Sequence, residues 1–144
     1  MSTPEQRQEM AKAIVNFEAR RDSNGRIAIY KLPPQDGGGK YEVAGINDRY
    51  HKQVVDRLVA LIENGEHEKA EQGARDFIAE FTDGVAKWTT VPAVEFYVRD
   101  CAFNRGPKGS ARILQRAVGV KDDGAVGDVT KAALKLAERI RRPC

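Results

Sequence analysis

Cysteine is scarce in this sequence, and its scarcity excludes the small folds that several disulfide bonds hold together. Cys101 and Cys144 are the only two cysteines among 144 residues, too few for a disulfide framework and without the spacing of a metal site. The two histidines, His51 and His67, fall on predicted helices without further ligands beside them. We therefore predict neither a metal site nor another cofactor.

Long apolar runs are also missing, which excludes a membrane-spanning helix. No stretch approaches the roughly 18 apolar residues that such a helix needs. Residues 1–6 lack the basic and apolar regions of a secretory signal. We expect a monomer of one domain that is made in the cytoplasm and does not insert stably into a membrane.

The sequence also lacks a strong excess of positive or of negative charge. The chain has 24 basic and 21 acidic residues, a net charge of +3, far from the dense basic surface of a nucleic-acid-binding protein. A modest positive charge still favours adhesion to an anionic polymer. The glycine run at residues 37–39 lacks the Lys-Ser/Thr pair that follows a phosphate-binding loop, which argues against nucleotide binding.

What the sequence does contain begins with a well-marked helix. Thr3 and Gln6 form a capping box, and Pro4 suits the first helical position. The helix is predicted to run out near Glu18, before the turn signal at residues 22–25. Apolar residues recur along it at helical spacing and predict one apolar face, made of Met10, Ile14 and Phe17.

The next segment has the composition of β-strands. Residues 26–32 and 41–43 are rich in β-branched and aromatic side chains. Residues 33–39, which include two prolines and three glycines, cannot form a helix between them. We predict a small β-hairpin, a wing with a long loop at its tip.

Two helices are predicted to follow the wing. Asn47 is a candidate N-cap for the first of them, which the pair Asn64-Gly65 should stop. The second should stop at the pair Asp83-Gly84.

The last part of the chain is also predicted to be helical. Thr90 is a candidate cap for a helix with Pro92 in its first turn and Tyr97 on its inward face. Two more helices are expected around residues 111–118 and 129–141. The predicted fold class is α+β, mostly α: a helical bundle with a small β-hairpin wing.

Two carboxylic acids stand at places that suit the cleavage of a glycosidic bond. That reaction commonly needs one carboxyl group that stays protonated and a second that is ionised. Glu18, at a helix end on the apolar side, meets the first need, since burial and the negative end of the helix dipole both favour its protonated form. Asp36, in the solvated glycine-rich loop, meets the second. We predict Glu18 as the acid and Asp36 as a base that activates water.

Simpler interpretations of both residues stay open. Glu18 at a helix end can pair with Arg20 or Arg21, which would favour its charged form. Asp36 before three glycines can be a turn residue. Asp22 and Asp48 are alternative second carboxylates, although both have the sequence context of turns or helix starts.

Glu18 is followed by the wing, which includes the string Asp-Gly-Gly-Gly-Lys-Tyr-Glu-Val-Ala-Gly-Ile at residues 36–46. This pattern resembles glycoside hydrolase family 108, a family of small peptidoglycan hydrolases. The second half resembles the peptidoglycan-binding segment at the end of that family. Its matching elements are Asp-Cys-Ala-Phe-Asn-Arg-Gly at 100–106, Leu-Gln-Arg-Ala-Val-Gly at 114–119, Asp-Gly-Ala-Val-Gly at 123–127, and Thr130.

That resemblance implies one lysozyme-like domain over residues 1–144. Residues 1–90 would carry the catalytic helix, the wing and the first bundle helices, and residues 91–144 would form the peptidoglycan-binding-like segment within the same fold. The implied activity is cleavage of the N-acetylmuramic acid–N-acetylglucosamine backbone. Family members usually have Glu-Gly-Gly-Tyr at the end of the first helix, where this sequence has Glu18-Ala19-Arg20-Arg21.

The spacing of Glu18 and Asp36 is also similar to that of chitosanases in the lysozyme superfamily, in which such a pair serves as acid and base. Those enzymes place a threonine beside the attacking water, and Val43 stands at the nearest equivalent position here. Tyr41 is an alternative group for positioning that water. A chitosanase-like enzyme and a wall-binding protein without activity therefore remain alternatives.

Four residues are candidate substrate contacts. Tyr41 and Trp88 could stack on sugar rings, although core packing is the competing interpretation for Trp88. Asn104 could line the cleft or cap a helix before Gly106. Arg21 is the fourth candidate substrate contact. An enzyme of this kind would act on the cell wall outside the cytoplasm, after release by a phage holin, a secretion system or cell lysis.

Overall fold

The computed structural model describes residues 2–34 and 37–140. The chain divides into two compact units. The terminal unit comprises Met1–Arg7 and Glu80–Cys144, and the wing unit comprises Gln8–Ala79. The described elements are α1 (Pro4–Glu18), β1 (Ile29–Lys31), β2 (Tyr41–Val43), β3 (Ile46–Asn47), α2 (Lys52–Glu63), α3 (His67–Ala86), α4 (Pro92–Ala117) and α5 (Asp128–Ile140).

These described elements confirm the predicted class, α+β and mostly α. Five helices accompany one antiparallel sheet in the order β1-β2-β3. Within residues 2–34 and 37–140, no helix combines the length and the apolar character needed to cross a membrane.

The capping box at the start of α1 is confirmed. The backbone N–H of Gln6 donates to Thr3 Oγ1 at 3.1 Å, and the N–H of Thr3 donates to Gln6 Oε1 at 2.9 Å. Each side chain therefore satisfies a backbone donor that the helix leaves unpaired. The helix ends at Glu18, as predicted.

The apolar face of α1 differs from the prediction at one residue. Phe17 is 75% exposed and does not belong to the core. Ile14 and Val15 are fully buried, and the residue four places after Ile14 and three after Val15 is Glu18. Because residues at those spacings share a helix face, Glu18 continues the buried stripe and Phe17 lies to one side of it.

The predicted wing is present and has a third strand. β1 pairs with β2 so that Tyr30 lies opposite Glu42, and β2 pairs with β3 so that Val43 lies opposite Ile46. The two residues between β2 and β3, Ala44 and Gly45, both have positive φ angles, 53° and 80°. Such a pair makes the tight two-residue turn that suits the twist of antiparallel strands.

The prediction that Asn47 caps α2 is wrong. Asn47 lies in β3, and its side-chain oxygen accepts a hydrogen bond from the N–H of Arg49 at 2.7 Å. The side chain satisfies a local turn instead, a common alternative for asparagine. The N-cap of α2 is His51, which makes no side-chain capping bond.

The predicted stop at Asp83-Gly84 is also wrong, since α3 continues to Ala86. The carboxylate of Asp83 accepts hydrogen bonds from two guanidinium groups, those of Arg7 and Arg99, at 2.8–3.0 Å. Its side chain is therefore occupied by charged partners and not by a helix-ending turn.

The start of α4 differs from the prediction in its capping residue. Pro92 occupies the predicted first turn, but the N-cap is Val91, whose N–H donates to the hydroxyl oxygen of Thr89 at 3.1 Å, and not Thr90. Tyr97, predicted to point inward, is 63% exposed.

A break in α4 separates two helical parts, as the sequence predicted. Gly106 has a φ angle of 76° and is followed by Pro107. Glycine adopts this conformation without strain, and proline cannot continue the hydrogen bonding of the preceding turn.

The core of the terminal unit contains a buried charged network beside its apolar cluster. Arg99 is 3% exposed and donates to Glu95 Oε2 at 2.9 Å, to Thr82 Oγ1 at 2.9 Å and to Asp83 Oδ1 at 3.0 Å. The hydroxyl of Ser2 also donates to Glu95 Oε2, at 2.8 Å. Buried charges are tolerated only when they are paired in this way.

Gln115 is the second buried polar centre of this unit. It is 1% exposed. Its amide nitrogen, which has two hydrogens, lies 3.0–3.2 Å from three acceptors, namely Asp123 Oδ1, the carbonyl of Ala125 and Thr130 Oγ1. Its oxygen accepts from the N–H of Gly124 at 2.9 Å. One side chain therefore fixes the loop between α4 and α5.

We predict that Gln115→Ala lowers the free energy of unfolding by about 2–4 kcal/mol, because several buried hydrogen bonds lose their partner at once. Urea denaturation measures the change. Gln53→Ala, at an exposed position on α2, is the matched control and should change stability by less than about 0.5 kcal/mol. Equal effects of the two substitutions would contradict the role given to Gln115.

We also predict that Asp83 contributes to the free energy of unfolding by an amount that depends on pH. The hydrogen bond from Arg7 is the main cause that holds the pKa of this carboxyl below its ordinary value. A lowered folded-state pKa stabilises the fold above the unfolded pKa of about 3.9, and that stabilisation is lost as the pH falls through the folded value.

The free energy of unfolding of Asp83→Asn should therefore lie below that of the wild type near neutral pH, by about 1 kcal/mol, since the Asp83 side chain is 42% exposed and solvent screens its ion pairs. The gap should narrow as the pH falls below about 4. Denaturant titrations at several pH values test this. Asp56→Asn is the control, because Asp56 forms an exposed ion pair with Lys52 that contributes little to stability. A stability difference between Asp83→Asn and the wild type that does not vary with pH would contradict the role given to Asp83.

Candidate functional site

The candidate acid Glu18 has no partner among the described residues. It is the last residue of α1, half-buried on the face that Ile14 and Val15 begin. Its carboxylate makes no hydrogen bond or ion pair within residues 2–34 and 37–140. A carboxyl group in this setting is available to donate or accept a proton.

Arg21, which could have paired with Glu18, is bound elsewhere. Its guanidinium contacts Glu71 Oε1 at 2.6 Å, Asn16 Oδ1 at 2.9 Å and the carbonyl of Gly25 at 3.1 Å. These contacts occupy the side chain that the sequence proposed as a substrate contact.

Glu71 is the acceptor that holds two arginines. Its second oxygen accepts from Arg75 at 2.6 Å, and its side chain is only 19% exposed. The hydrogen bond from Arg21 is the main cause that keeps the pKa of Glu71 below its ordinary value. The three side chains form a cluster that we call the Glu71 clamp: Arg21, Glu71 and Arg75.

Arg20, the other possible partner of Glu18, lies against an aromatic ring. Its guanidinium carbon is 4.1 Å from the centroid of the Tyr30 ring. Its backbone carbonyl accepts a hydrogen bond from Ala28 at 2.9 Å. The ion pairs that would have favoured a charged Glu18 are therefore absent from the described part of the chain.

The predicted base Asp36 lies outside the described residues, as does Gln35. The chain that follows is closely packed. A Cβ atom on Gly39 would come within 2.8 Å of Leu32 Cδ1 and closer still to Asn47 Oδ1, and one on Gly37 would overlap the guanidinium of Arg49. A side chain at either position would therefore require these neighbouring side chains to move, and at Gly39 two of them are in the way.

The alternative carboxylates, Asp22 and Asp48, both accept hydrogen bonds from backbone N–H groups. Asp22 Oδ1 accepts from the backbone N–H groups of Asn24 and Arg26 at 2.9 and 3.0 Å. The backbone hydrogen bond from Arg26 is the main cause that lowers the pKa of Asp22. Asp48 Oδ1 accepts from the N–H of Lys40 at 2.7 Å. The turn role expected of Asp22 is confirmed, whereas the side chain of Asp48 binds a residue eight positions earlier in the chain.

Tyr41 shares the wing unit with Glu18. It is the first residue of β2, 40% exposed and opposite Lys31 in the strand register, so its ring is accessible.

The remaining substrate candidates belong to the terminal unit. Trp88 is half-buried and packs against the apolar core, which is the competing interpretation that the sequence left open. The amide of Asn104 donates to the carbonyl of Asp100 at 2.9 Å, which caps the first part of α4. The core against which Trp88 packs consists of Val85, Val98, Ala102, Leu114 and Leu134.

Neither histidine belongs to a metal site. Among the described residues, no group of three His, Cys, Asp or Glu side chains could hold a metal ion. The ring of His51 lies edge-on to Phe77 with the centroids 4.8 Å apart, and burial lowers its pKa. His67 Nδ1 lies 3.2 Å from the carbonyl oxygen of Ile27.

The sequence analysis missed the Glu71 clamp and the ring under Arg20. Glu71 and Arg75 stand four residues apart on α3, a spacing that predicts a helical ion pair. No local signal indicates that Arg21, 50 positions before Glu71, completes the cluster.

The wing unit also has a groove of about 450 Å³ beside the clamp, and its lining residues are Gly25, Arg26, Ile27, His67, Glu68, Glu71, Gln72 and Arg75.

The comparisons with known proteins returned nothing: no protein-family model matches the chain, and no curated protein matches it significantly.

Two glycine-to-alanine substitutions should have opposite effects on stability. Gly39→Ala should lower the free energy of unfolding by about 1–3 kcal/mol, because the new methyl group meets Leu32 and Asn47. Gly84→Ala, within α3 and with open space around the new methyl, should raise it by about 0.5–1 kcal/mol. Thermal or urea denaturation of both variants tests the packing of the wing loop, and a neutral Gly39→Ala would show that the loop is not packed as described.

Proposed function

We propose that this protein is a lysozyme-like peptidoglycan hydrolase and that Glu18 is its general acid. One observation carries the proposal: Glu18 ends α1 on the buried face of that helix, directly before the β-wing, and neither neighbouring arginine pairs with it. A hydrolase of glycosidic bonds needs a carboxyl group in such a setting.

The chemistry assigned to Glu18 is donation of its proton to the oxygen of the leaving sugar. Protonation of that oxygen lets the glycosidic bond break while positive charge develops on the other sugar. Glu18 is half-buried at the end of α1 and forms no hydrogen bond or ion pair among the described residues, so its carboxyl group is not committed to a structural contact there.

Asp36 is proposed as the base that takes a proton from the attacking water. The resemblance to chitosanases, in which a carboxylate at this spacing from the acid serves as the base, supports this role. Tyr41, exposed on the neighbouring strand, is the alternative group for positioning the water, since Val43 stands where related enzymes have threonine.

The resemblance to glycoside hydrolase family 108 supports the same function and names the bond. Under this proposal the substrate is the glycan of the bacterial cell wall, cleaved after N-acetylmuramic acid. The protein would be a monomer that reaches the wall after release from the cytoplasm. Residues 100–106 and 114–130, which carry the second-half resemblance, would belong to the lysozyme-like fold.

Two other functions give different outcomes in the same assays. A chitosanase-like enzyme would release reducing sugars from chitosan and not from purified wall. A wall-binding protein without activity would sediment with peptidoglycan and release no sugar. Digesting the two polymers side by side separates all three.

We predict that Glu18→Gln reduces the rate of peptidoglycan hydrolysis by at least about 10²–10⁴-fold, the usual contribution of a general acid. The variant should keep the circular dichroism spectrum and the melting temperature of the wild type within a few degrees, since the carboxylate makes no contact in the described fold. New reducing ends measure the rate.

Glu9→Gln is the matched control, because Glu9 is an exposed glutamate on the same helix. It should hydrolyse the wall at the wild-type rate. Turnover by Glu18→Gln within a few-fold of the wild type would remove Glu18 from the mechanism.

A further inference from the structure

Arg20 stands close to the proposed acid by chain connectivity. Only Ala19 separates it from Glu18, so the two Cα atoms lie at most about 7 Å apart. The N–H of Ala19 donates to the carbonyl of Val15 at 2.7 Å, which keeps the first step after α1 in a helical turn.

The segment that holds Arg20 is tied to the start of the wing. The carbonyl of Arg20 accepts from Ala28 at 2.9 Å, and the next residue, Arg21, forms an isolated β-bridge with Ile27. Two adjacent backbone positions are therefore paired with the segment that leads into β1. The position of the Arg20 backbone follows from these hydrogen bonds.

The side chain of Arg20 is held by an aromatic ring and not by an acid. Its guanidinium lies 4.1 Å from the centroid of Tyr30, the central residue of β1. A guanidinium stacked on a ring keeps its hydrogen-bond donors free at its edge. The stacked position also reduces the conformational entropy that the side chain loses when it binds a ligand.

Unlike the next two arginines in the chain, Arg20 forms no salt bridge with the described residues. Arg21 is paired with Glu71 and Arg26 with Asp22. Arg20 is exposed and has no carboxylate partner within residues 2–34 and 37–140. Two residues from Glu18 in the chain, the protein therefore exposes one oriented positive charge that no carboxylate of the described residues neutralises.

We propose that the Arg20–Tyr30 pair binds a carboxylate on the substituent of the glycan, so that the site selects a carboxylate-bearing amino-sugar polymer over a neutral or cationic one. This inference rests on the proposed function and names the substrate class of that same site. Guanidinium and carboxylate fit each other through two parallel hydrogen bonds. The peptide stems of peptidoglycan supply carboxylates beside the glycan, chitin has none, and the amines of chitosan would be repelled.

The test separates this charge contact from the chemistry at Glu18. Wild type and Arg20→Gln are assayed on purified peptidoglycan and on the same peptidoglycan after its carboxyl groups have been converted to amides. On the untreated wall, Arg20→Gln should raise the apparent KM about tenfold, the effect of losing one charge-assisted hydrogen bond, and should leave kcat within about threefold. On the amidated wall, the two proteins should have the same KM.

Two further variants control for net charge and for folding. Lys31→Gln removes one positive charge from the neighbouring exposed residue of β1, whose side chain points to the other face of the sheet from Tyr30; it should leave KM unchanged. Arg20→Lys keeps the charge without the planar group and should recover part of the lost affinity. Circular dichroism shows whether each variant is folded.

The outcomes distinguish the two proposals. If wild type hydrolyses the wall and Arg20→Gln has the same KM on the untreated substrate, the carboxylate contact is refuted while the proposed function stands. An equal loss of affinity for the amidated wall also refutes it, because the arginine would then act without the carboxylate. If wild type releases no reducing ends from any wall preparation, the proposed function itself fails.

Discussion

The salt bridge between Arg21 and Glu71 is the contact on which this account of the wing unit depends. It joins the chain just after α1 to α3 across 50 positions of sequence, with an N–O distance of 2.6 Å. Glu71 is mostly buried between two guanidinium groups, and removing one partner of such a cluster leaves charge without compensation. Because the cluster engages Arg21, this arginine does not pair with Glu18, and the end of α1 presents a carboxyl group that forms no ion pair among the described residues.

The terminal unit is organised by a different principle, the satisfaction of buried polar groups. Arg99 and Glu95 form an ion pair in the interior, and Gln115 contacts three residues of the loop after α4 as well as Thr130 of α5. Gln115, Gly124 and Thr130 belong to the stretches that resemble a peptidoglycan-binding segment. Their described contacts are internal and hold the loop between α4 and α5 in place.

Local signals in the sequence predicted most of the fold, and contacts between distant residues account for what they missed. The capping box of Thr3 and the break at Gly106 depend on neighbouring residues and are confirmed. Asp83-Gly84 has the composition of a helix stop, but distant arginines bind the aspartate and the helix continues. For the site, the helix-end position of Glu18 was predictable from sequence, whereas the contacts of Arg20 with Tyr30 and of Arg21 with Glu71 were not.

The most direct test of the central claim is the chemistry of the products. Purified peptidoglycan is digested with the wild-type protein, the products are reduced with borohydride, and the sugar at the reduced end is identified by mass spectrometry. The account predicts soluble disaccharide-peptides that end in reduced N-acetylmuramic acid. Soluble peptides without new reducing sugar ends, or a wall that stays intact, would contradict it.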